Sequence, residues 1–564
     1  MSTLCILASV VVGLLTPVLL SRAIDGLRAE LSWGSLMGYA VIILGLTCVS
    51  SMFSLLSRYL TNHLSWCVIG DIRFAFYAHV QQQPLSFFQN NRTSDLMTRA
   101  TSQLEGLRMT AGQVILFALQ TAFTLALLLP LMLRISQRLT LLLFTTVPVA
   151  FWLIHYSNKK ALGHAKKLQG CLGKILQRAE ENLKGARVVR AYSQEESEIA
   201  ALGELTQKHL ALNGQLLRVN SLVAPLLQLV IGLSFVVNFW YGSVLAVRAD
   251  ITLGQFIEFN AYLMRLIWPL MAFGQTIRLY QQGMLGLQQI TQVLDTAPAV
   301  ADQPGVREQP PIRGGVQFRR LTFAFGEKGE AGPPVLRDVD LDIAAGQTVA
   351  FIGRTGSGKT TLMNLLPRLL EVPPGTVFVD GVDVRDYPLA QLRASIGYAQ
   401  QEPVLFSDSL AENIAFGVEG ASAADLAEAA DLAGLTRDVR DFPQGFETLV
   451  GERGVTLSGG QKQRVALARA LMRQPAILIL DDALSAVDAY TAERIRQRLR
   501  EVRQGKTTLV VAHRVAAVRS ADLICVVEGG RIVERGTHEE LLARGGDYAA
   551  FYYRELLEEE LVTT

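Results

Sequence analysis

Cysteine and excess charge are scarce in this chain of 564 residues. Its five cysteines lie far apart without a CxxC pair, so their spacing predicts neither a disulfide framework nor a zinc site. The 53 Lys and Arg residues nearly balance the 51 Asp and Glu residues, which leaves a net charge of +2. This charge gives no electrostatic reason to expect a nucleic-acid partner.

A basic leader is also missing before the first apolar run, because no Lys or Arg precedes Arg22. A secretory signal peptide begins with such a leader, so this run is predicted to be a membrane helix. What the chain does have is hydrophobic residues, which make up 50% of it. Six stretches approach the ~20 residues that span a bilayer: residues 4–24, 38–60, 113–133, 139–157, 223–246 and 253–273.

The segments between these runs differ in length and charge. Residues 61–112 and 158–222 are long and rich in Lys and Arg, whereas the other connections are short. Positive charge marks the cytoplasmic side, so the long segments and both termini are predicted to be cytoplasmic. The alternative explanation of the six runs, buried helices of a large soluble protein, stays open at this point.

A stretch rich in Pro and Gly over residues 297–315 follows the last run. Such composition is typical of a linker. We place the boundary near residues 305–312, which predicts a membrane domain over residues 1–305 and an α/β domain over residues 312–564.

A phosphate-binding loop lies near the start of the second domain. The apolar strand over residues 349–352 leads into a glycine-rich loop and the first turn of a helix. Backbone amides of such a loop converge on phosphates, Lys359 would reach the β- and γ-phosphates, and the Thr360 hydroxyl would bind Mg²⁺. The residues expected to hold ATP here are Gly353, Arg354, Thr355, Gly356, Ser357, Gly358, Lys359, Thr360 and Thr361.

Two further sites belong to the same chemistry. Asp481 ends the apolar strand of residues 476–480 and is predicted to hold Mg²⁺. A second helix start, Leu457, Ser458, Gly459, Gly460 and Gln461, offers another set of amides for an anion. One nucleotide does not need two such sites in one chain. The arrangement therefore predicts two domains head to tail, each capping the ATP of the other.

With these motifs the chain resembles an ABC transporter half-subunit of the exporter type over essentially its full length. The resemblance implies six membrane helices of the type-IV exporter fold, then an ABC-type α/β nucleotide-binding domain. It implies that Gln401 is the Q-loop residue, a ligand near Mg²⁺ and water, that Asp488 ends the D-loop, and that His513 contacts the γ-phosphate. Phe325 matches the aromatic residue that stacks on adenine, or else it is a core residue of its strand.

Position 482 departs from the family pattern. The residue after the Mg²⁺ aspartate is usually a glutamate that deprotonates the attacking water, but here it is Asp482. Its side chain is shorter than that of glutamate by about 1.5 Å. A misplacement of ~1 Å can slow a reaction about 100-fold, which corresponds to an increase of about 2.7 kcal/mol in the activation free energy. This resembles the degenerate-site chain of heterodimeric bacterial multidrug exporters. The alternative is a homodimer that tolerates aspartate.

The resemblance implies a transporter in the cytoplasmic membrane that exports hydrophobic or amphipathic small molecules. Lipid flipping, an ATP-gated channel or regulatory subunit, and an importer are the alternatives on the same scaffold. Residues 87–99 and 180–192 are expected to couple the nucleotide domains to the membrane helices. Arg265 is expected to face the transport pathway and favour anionic or amphipathic cargo, or else to pair with Glu258.

Overall fold

The computed structural model describes residues 1–27, 33–326, 332–451, 454 and 456–563. The chain divides into two compact units. The first comprises Met1–Gln81 and Arg92–Thr296, and the second comprises Gln82–Asn91 and Ala297–Thr564. The domain bounds predicted at residues 305 and 312 stay a prediction.

The first unit is entirely helical in its described part. Five of its helices exceed 30 residues. In chain order the helices are Ser2–Leu27, Trp33–Gln81, Thr93–Ile135, Gln137–Phe144, Val147–Lys184, Ala186–Ala191, Glu195–Val247 and Leu253–Leu294. The helix Thr93–Ile135 contains two π-helical turns, at Arg99–Gln103 and Thr110–Val114.

Four helices of the described residues are long and apolar enough to cross a membrane. They are Ser2–Leu27, Trp33–Gln81, Thr93–Ile135 and Glu195–Val247. Their apolar side chains face outward: Met37 is 67% and Leu44 is 65% exposed. A bilayer needs only ~20 helical residues, so the 49-residue helix Trp33–Gln81 must project well beyond it.

The other two predicted spans, residues 139–157 and 253–273, also lie on helices. The first overlaps Gln137–Phe144 and Val147–Lys184, and the second opens Leu253–Leu294. The last helix carries Glu258, Asn260 and Arg265 within this stretch, which lowers its mean hydropathy. The count of six spans stays a prediction.

Small and polar residues bring the long helices together. The Thr110 hydroxyl donates to Leu279 O at 2.9 Å and to Gly106 O at 3.1 Å. A Cβ at Gly283 would overlap the Thr110 hydroxyl, so glycine is required there for the two backbones to approach. Close backbone contact through small residues is the usual way to pack helices in lipid, where the hydrophobic effect does not drive association.

The second unit contains two sheets. An antiparallel sheet has the order β2-β1-β4-β5, and a six-stranded sheet has the order β10-β9-β3-β8-β7-β6. The strands are β1 Val316–Phe323, β2 Leu336–Ile343, β3 Thr348–Ile352, β4 Val377–Val379, β5 Val382–Asp383, β6 Ile396–Ala399, β7 Ile477–Asp481, β8 Thr507–Ala512, β9 Leu523–Glu528 and β10 Arg531–Gly536.

Parallel pairing dominates the larger sheet. Strands β9, β3, β8, β7 and β6 pair in parallel, and only β10 runs antiparallel, beside β9. Every residue of β7 is buried, as expected for a strand covered on both faces. The loops that leave β3, β8, β7 and β6 therefore emerge in a row at one edge, where ligands of such sheets bind.

The α-helices of the second unit are mostly short. They are Leu85–Asn90, Lys359–Leu365, Leu389–Ala394, Leu410–Ala415, Ala423–Leu432, Thr436–Asp441, Gly459–Met472, Ala489–Val502, His538–Arg544 and Asp547–Thr563. The core lies between the two sheets and the helix Lys359–Leu365, around residues such as Phe318, Phe351 and Met363.

The Pro- and Gly-rich segment is fixed to the second unit at several points. The Asp380 carboxylate accepts from the backbone N–H groups of Arg313, Gly314 and Gly315 at 2.6, 3.3 and 2.7 Å. Farther upstream, Ala301 O accepts from the guanidinium of buried Arg368 at 3.2 Å. These contacts determine where the chain enters β1.

We expect Asp380→Asn to destabilise this entry. The amide would turn an N–H₂ group toward backbone donors, and a hydrogen bond to a charged group contributes about 1.5–3 kcal/mol. The thermal midpoint of the full chain should fall, and hydrogen exchange of residues 313–315 should accelerate. Asp342→Asn, at an exposed carboxylate on β2, should change neither quantity. Equal behaviour of the two variants would contradict the role given to Asp380.

Candidate nucleotide-binding site

The loop between β3 and the helix Lys359–Leu365 has the backbone that a phosphate cradle needs. Gly353, Gly356 and Gly358 have φ angles of +157°, +81° and +103°, which glycine adopts at low cost. A Cβ at Gly353 would lie 2.2 Å from Val527 O, so no other residue fits without a shift. The remaining predicted residues, Thr355 and Thr361, occupy the loop and the first turn of the helix.

Lys359, the first residue of the helix after this loop, is a buried cation, whereas Arg354 within the loop is exposed. Its ammonium donates to Gly353 O at 2.8 Å, to Arg354 O at 2.9 Å and to Ser357 Oγ at 3.4 Å. Burial lowers its pKa, while the carboxylates of Asp481 and Asp482 act in the opposite direction. A buried ammonium held by neutral oxygens is suited to an anionic ligand, because a phosphate would offset the cost of its burial.

The predicted metal ligands Thr360 and Asp481 lie together. The Thr360 hydroxyl donates to Asp481 Oδ1 at 3.2 Å. Tyr398, on β6, donates to Asn364 Oδ1 at 2.9 Å and to Asp481 Oδ2 at 3.4 Å. Burial raises the pKa of the Asp481 carboxyl, and the hydrogen bonds from Thr360 and Tyr398 lower it. A buried carboxylate beside a hydroxyl supplies the oxygen ligands that Mg²⁺ prefers.

Asp482 has an unusual backbone. Its φ is +50°, a left-handed conformation that costs a non-glycine residue about 1 kcal/mol. Its N–H donates to Val511 O on β8 at 2.9 Å, and Ser485 Oγ donates to its carbonyl at 2.9 Å. Burial raises the pKa of its carboxyl, and the nearby His513 lowers it. The backbone of Asp482 is therefore held from two sides.

His513 and Gln401 reach the same edge of the sheet from neighbouring strands. His513 directly follows β8, and Gln401 lies two residues after β6. Both side chains are exposed. The topology brings them to the edge where Asp481 and the loop of Lys359 lie, since the parallel strands β3, β8, β7 and β6 all end there.

Phe325 lies outside this cluster. It is 40% exposed and packs edge to face against Phe323, with ring centroids 5.2 Å apart. Residues 327–331, which follow it, are outside the described part of the chain. Its partial exposure is compatible with adenine stacking, which stays a prediction.

The second predicted anion site starts the helix Gly459–Met472. Ser458 and Gln461 form a capping box: Ser458 Oγ accepts from Gln461 N at 3.3 Å, and Gln461 Oε1 accepts from Ser458 N at 2.9 Å. Leu457, just before the cap, is buried. The Gln461 amide also donates to Asp438 Oδ1 at 2.9 Å, and Asp438 forms an ion pair with Arg464. This end of the helix is thus rigidly held.

The structure does not bring this helix start to the phosphate loop of the same chain by direct contact. Among the described residues, no hydrogen bond or ion pair joins residues 457–461 to residues 353–361. Asp488, the last predicted ligand, instead caps the helix Ala489–Val502 by accepting from Thr491 N at 2.9 Å. That hydrogen bond lowers the pKa of its exposed carboxyl.

Several residues that support these sites were not among those predicted from the sequence. Tyr398 and Asn364 support Asp481, Asp438 supports Gln461, and Glu555 of the last helix accepts from Val515 N at 2.5 Å, two residues after His513. Tyr398 alone had a local signal, a phenol in a short apolar strand. The other contacts depend on elements that meet only in the fold.

Comparison with known proteins places these features in one family. Residues 1–270 match the ABC transporter transmembrane region, and residues 336–485 match the ABC transporter family. The chain is 36% identical to the "Probable multidrug resistance ABC transporter ATP-binding/permease protein YheI" of Bacillus subtilis (strain 168), over 98% of this chain and 94% of that protein. It is 33% identical to an "ATP-dependent lipid A-core flippase" of Syntrophus aciditrophicus (strain SB), over 98% and 91%.

A solved structure agrees with this assignment. The chain resembles a bacterial Atm1-family ABC exporter with ATP bound, with a TM-score of 0.87, 26% identity, and coverage of 98% of this chain and 97% of that one. The predicted order of a helical membrane domain followed by an ABC nucleotide-binding domain is confirmed. The chain belongs to the ABC transporter family as an exporter half-transporter, a membrane-spanning protein whose ATP-binding domain lies on the cytoplasmic side.

Proposed function

We propose that the chain is one subunit of a heterodimeric exporter, which uses ATP to move hydrophobic or amphipathic small molecules out across the cytoplasmic membrane. The observation that carries the heterodimer is the identity and anchoring of Asp482. In this proposal the chain's own phosphate site binds ATP but turns it over slowly. The competent site combines the helix start at residues 457–461 with the partner's phosphate loop.

The geometry around Asp482 supports a slow site. A general base must lie within hydrogen-bond reach of the proton that it removes. Aspartate is about 1.5 Å shorter than glutamate, and a shift of the backbone could in principle compensate. Here the hydrogen bonds to Val511 O and from Ser485 hold that backbone in place. The shorter reach therefore remains, and water activation at this site is weak.

Each remaining residue has a defined task in ATP binding and hydrolysis. The amides of the loop and Lys359 would bind phosphate oxygens, His513 would donate to the γ-phosphate, and Gln401 would help to hold Mg²⁺ and to orient the attacking water. Thr360 and Asp481 would hold Mg²⁺, which would neutralise phosphate charge when bound. Ser458 and the amides of Gly459 and Gly460 would cap the nucleotide of the partner subunit.

Short helices connect the long helices at two places and fit a coupling role. Leu85–Asn90 follows Trp33–Gln81, and Ala186–Ala191 follows Val147–Lys184. Val188 in the second helix and Tyr192 directly after it are apolar and exposed, at 61% and 74%. We infer that closure of the nucleotide domains moves the long helices as rigid levers through these segments.

The nature of the cargo is inferred from the last membrane helix. Arg265 is exposed, and its Nη1 lies 2.9 Å from where a Cβ of Gly13 would be. Within the described residues Arg265 forms no ion pair. Glu258 accepts from the Tyr262 hydroxyl at 3.0 Å. A guanidinium in a membrane helix is costly and tends to serve function. It favours anionic or amphipathic cargo.

Lipid flipping is the second candidate function. Relatives over almost the full length are named lipid A-core flippases, and an exposed Arg265 suits the charged headgroup of a lipid as well as an anionic drug. Export of small molecules and flipping of lipids differ in cargo, and they share the ATP chemistry and the direction of transport.

We expect Asp482→Glu to increase ATP hydrolysis by the purified, self-associated chain about 10- to 100-fold, because the added methylene restores the reach of the base. Steady-state phosphate release in lipid nanodiscs measures this. Asp482→Asn should stay at or below the wild-type rate, and Lys359→Ala should lose ATP binding. Brisk wild-type hydrolysis that disappears in Asp482→Asn would contradict the heterodimer.

We expect Arg265→Ala to reduce transport of anionic amphipathic compounds about tenfold, the loss of roughly one charge-assisted contact. Transport of neutral compounds should be unchanged, as should basal ATP hydrolysis. Uptake into inverted vesicles measures the transport of small molecules, and a fluorescent-lipid protection assay measures flipping. Arg248→Ala, in a short connection, is the matched control. Unchanged rates for every anionic compound would remove this role of Arg265.

A further inference from the structure

Gln463 lies two residues beyond the capping helix start, and the functions assigned above make no use of it. It is 5% exposed on the helix Gly459–Met472. Its Nε2 donates to Ser485 Oγ at 2.9 Å and to Asp482 O at 3.4 Å, and its Oε1 accepts from Ala486 N at 2.8 Å. All three partners belong to one segment, residues 482–486, which directly follows β7.

The same segment packs against the start of that helix. A Cβ at Gly460 would lie 2.8 Å from Ala486 O, and one at Gly459 would lie 3.5 Å from Ala486 Cβ. The two glycines allow the helix start to rest on Ala486, and the Gln463 amide fixes the orientation of the contact. The capping helix and residues 482–486 are therefore one mechanical element.

The two ends of this element face different nucleotides in the proposed dimer. Residues 458–460 would touch the nucleotide of the partner subunit, whereas Asp482 belongs to this chain's own phosphate site. The left-handed backbone of Asp482 is held by Val511 on one side and by Ser485 and Gln463 on the other. A displacement of the helix would change the contacts of Asp482 with Ser485 and Gln463 and would leave its contact with Val511 unchanged.

We propose that Gln463 is a positioning residue that transmits the position of the capping helix to Asp482 and the following D-loop, and so couples the two composite nucleotide sites. The inference rests on the proposed dimeric function, but it does not depend on the cargo or on whether the partner is identical. Gln463 touches no nucleotide in this account, and it acts only through the backbone of residues 482–486.

A purely structural role would be the simpler explanation of a buried and satisfied glutamine. The two explanations differ in what they predict. Loss of a core hydrogen-bond network lowers stability and affects ligand binding and turnover together. Loss of a coupling contact lowers turnover and leaves the affinity for ATP unchanged. When both partners of the contact are substituted, the loss of turnover should be no larger than in either single variant.

The test uses the full chain in lipid nanodiscs, with the variants Gln463→Met, Ser485→Ala and the double variant. Methionine keeps the length of the side chain and removes its hydrogen bonds. Gln497→Met is the matched control, because Gln497 is exposed and its hydrogen-bond partner in the described part of the chain is Glu493. We expect kcat for ATP hydrolysis to fall about tenfold in each single variant, since a displacement below ~1 Å costs less than 100-fold.

The double variant should lose about tenfold rather than 100-fold, because both substitutions break one link. KM for ATP should stay within about twofold. The thermal midpoint should fall, because the Ala486 N–H loses its partner, but the loss of rate should persist at temperatures well below that midpoint, where the variant is folded. Three results would overturn the proposal: additive losses of kcat in the double variant, a KM for ATP that rises as much as kcat falls, or a loss of rate that the fraction of unfolded protein explains.

A second measurement separates this proposal from the proposed function. Hydrogen exchange of residues 482–488 should slow when ATP and Mg²⁺ are added to the wild type, and this protection should vanish in Gln463→Met while a fluorescent ATP analogue still binds. Equal protection in both proteins would overturn the role of Gln463. A chain that shows the coupling but, self-associated, hydrolyses ATP briskly and loses this activity in Asp482→Asn would contradict the proposed function alone.

Discussion

The parallel register of β3, β8 and β7 is the constraint on which the nucleotide site depends. Ile352 pairs with Ala512, and Asp481 pairs with Val511. The phosphate loop begins directly after Ile352, His513 directly follows Ala512, and Asp482 directly follows Asp481. A slip of one residue in a strand would turn its side chains to the other face. Hydrogen bonding between buried backbones thus aligns groups that lie far apart in the chain.

Support around this edge comes from a second layer of polar residues. Asp481 is buried, yet it keeps two hydrogen-bond donors, Thr360 and Tyr398. Asp482 is less buried, and its backbone is held by hydrogen bonds to Val511 O and from Ser485 Oγ. The two adjacent residues are therefore held differently: Asp481 through its carboxylate oxygens, and Asp482 through its main-chain N–H and carbonyl.

The membrane unit solves a different physical problem. Its helices cannot rely on hydrophobic attraction in lipid, so they meet through glycine, serine, threonine and asparagine. Thr110 against Gly283 is one such contact, and the Asn238 amide that donates to Asn260 Oδ1 at 2.9 Å is another. The groups in these contacts are uncharged. Arg265, an exposed charged residue within a predicted span, differs from them in this respect.

Features that depend on neighbouring residues could be predicted from the sequence. A glycine-rich loop after an apolar strand predicted the phosphate loop, the strand of residues 476–480 is continuously apolar, and Ser458 with the two glycines after it indicated the start of a helix. Each of these local patterns predicted its element. The aspartate at position 482, one methylene shorter than the glutamate usual in the family, could also be read directly from the sequence. The long helices followed from apolar runs, although the run of residues 139–157 is divided between two helices.

Which distant groups meet could not be predicted, because it depends on how the elements pack. Tyr398 reaches Asp481 across 83 residues, Asp380 accepts from amides 65 to 67 residues upstream, and Gln463 reaches a segment 19 to 23 residues ahead. Tyrosine, aspartate and glutamine can each hydrogen-bond many partners, so the residue type does not predict which partner it binds. Sheet register and helix packing bring the partners together, because buried polar groups must be satisfied wherever the fold places them.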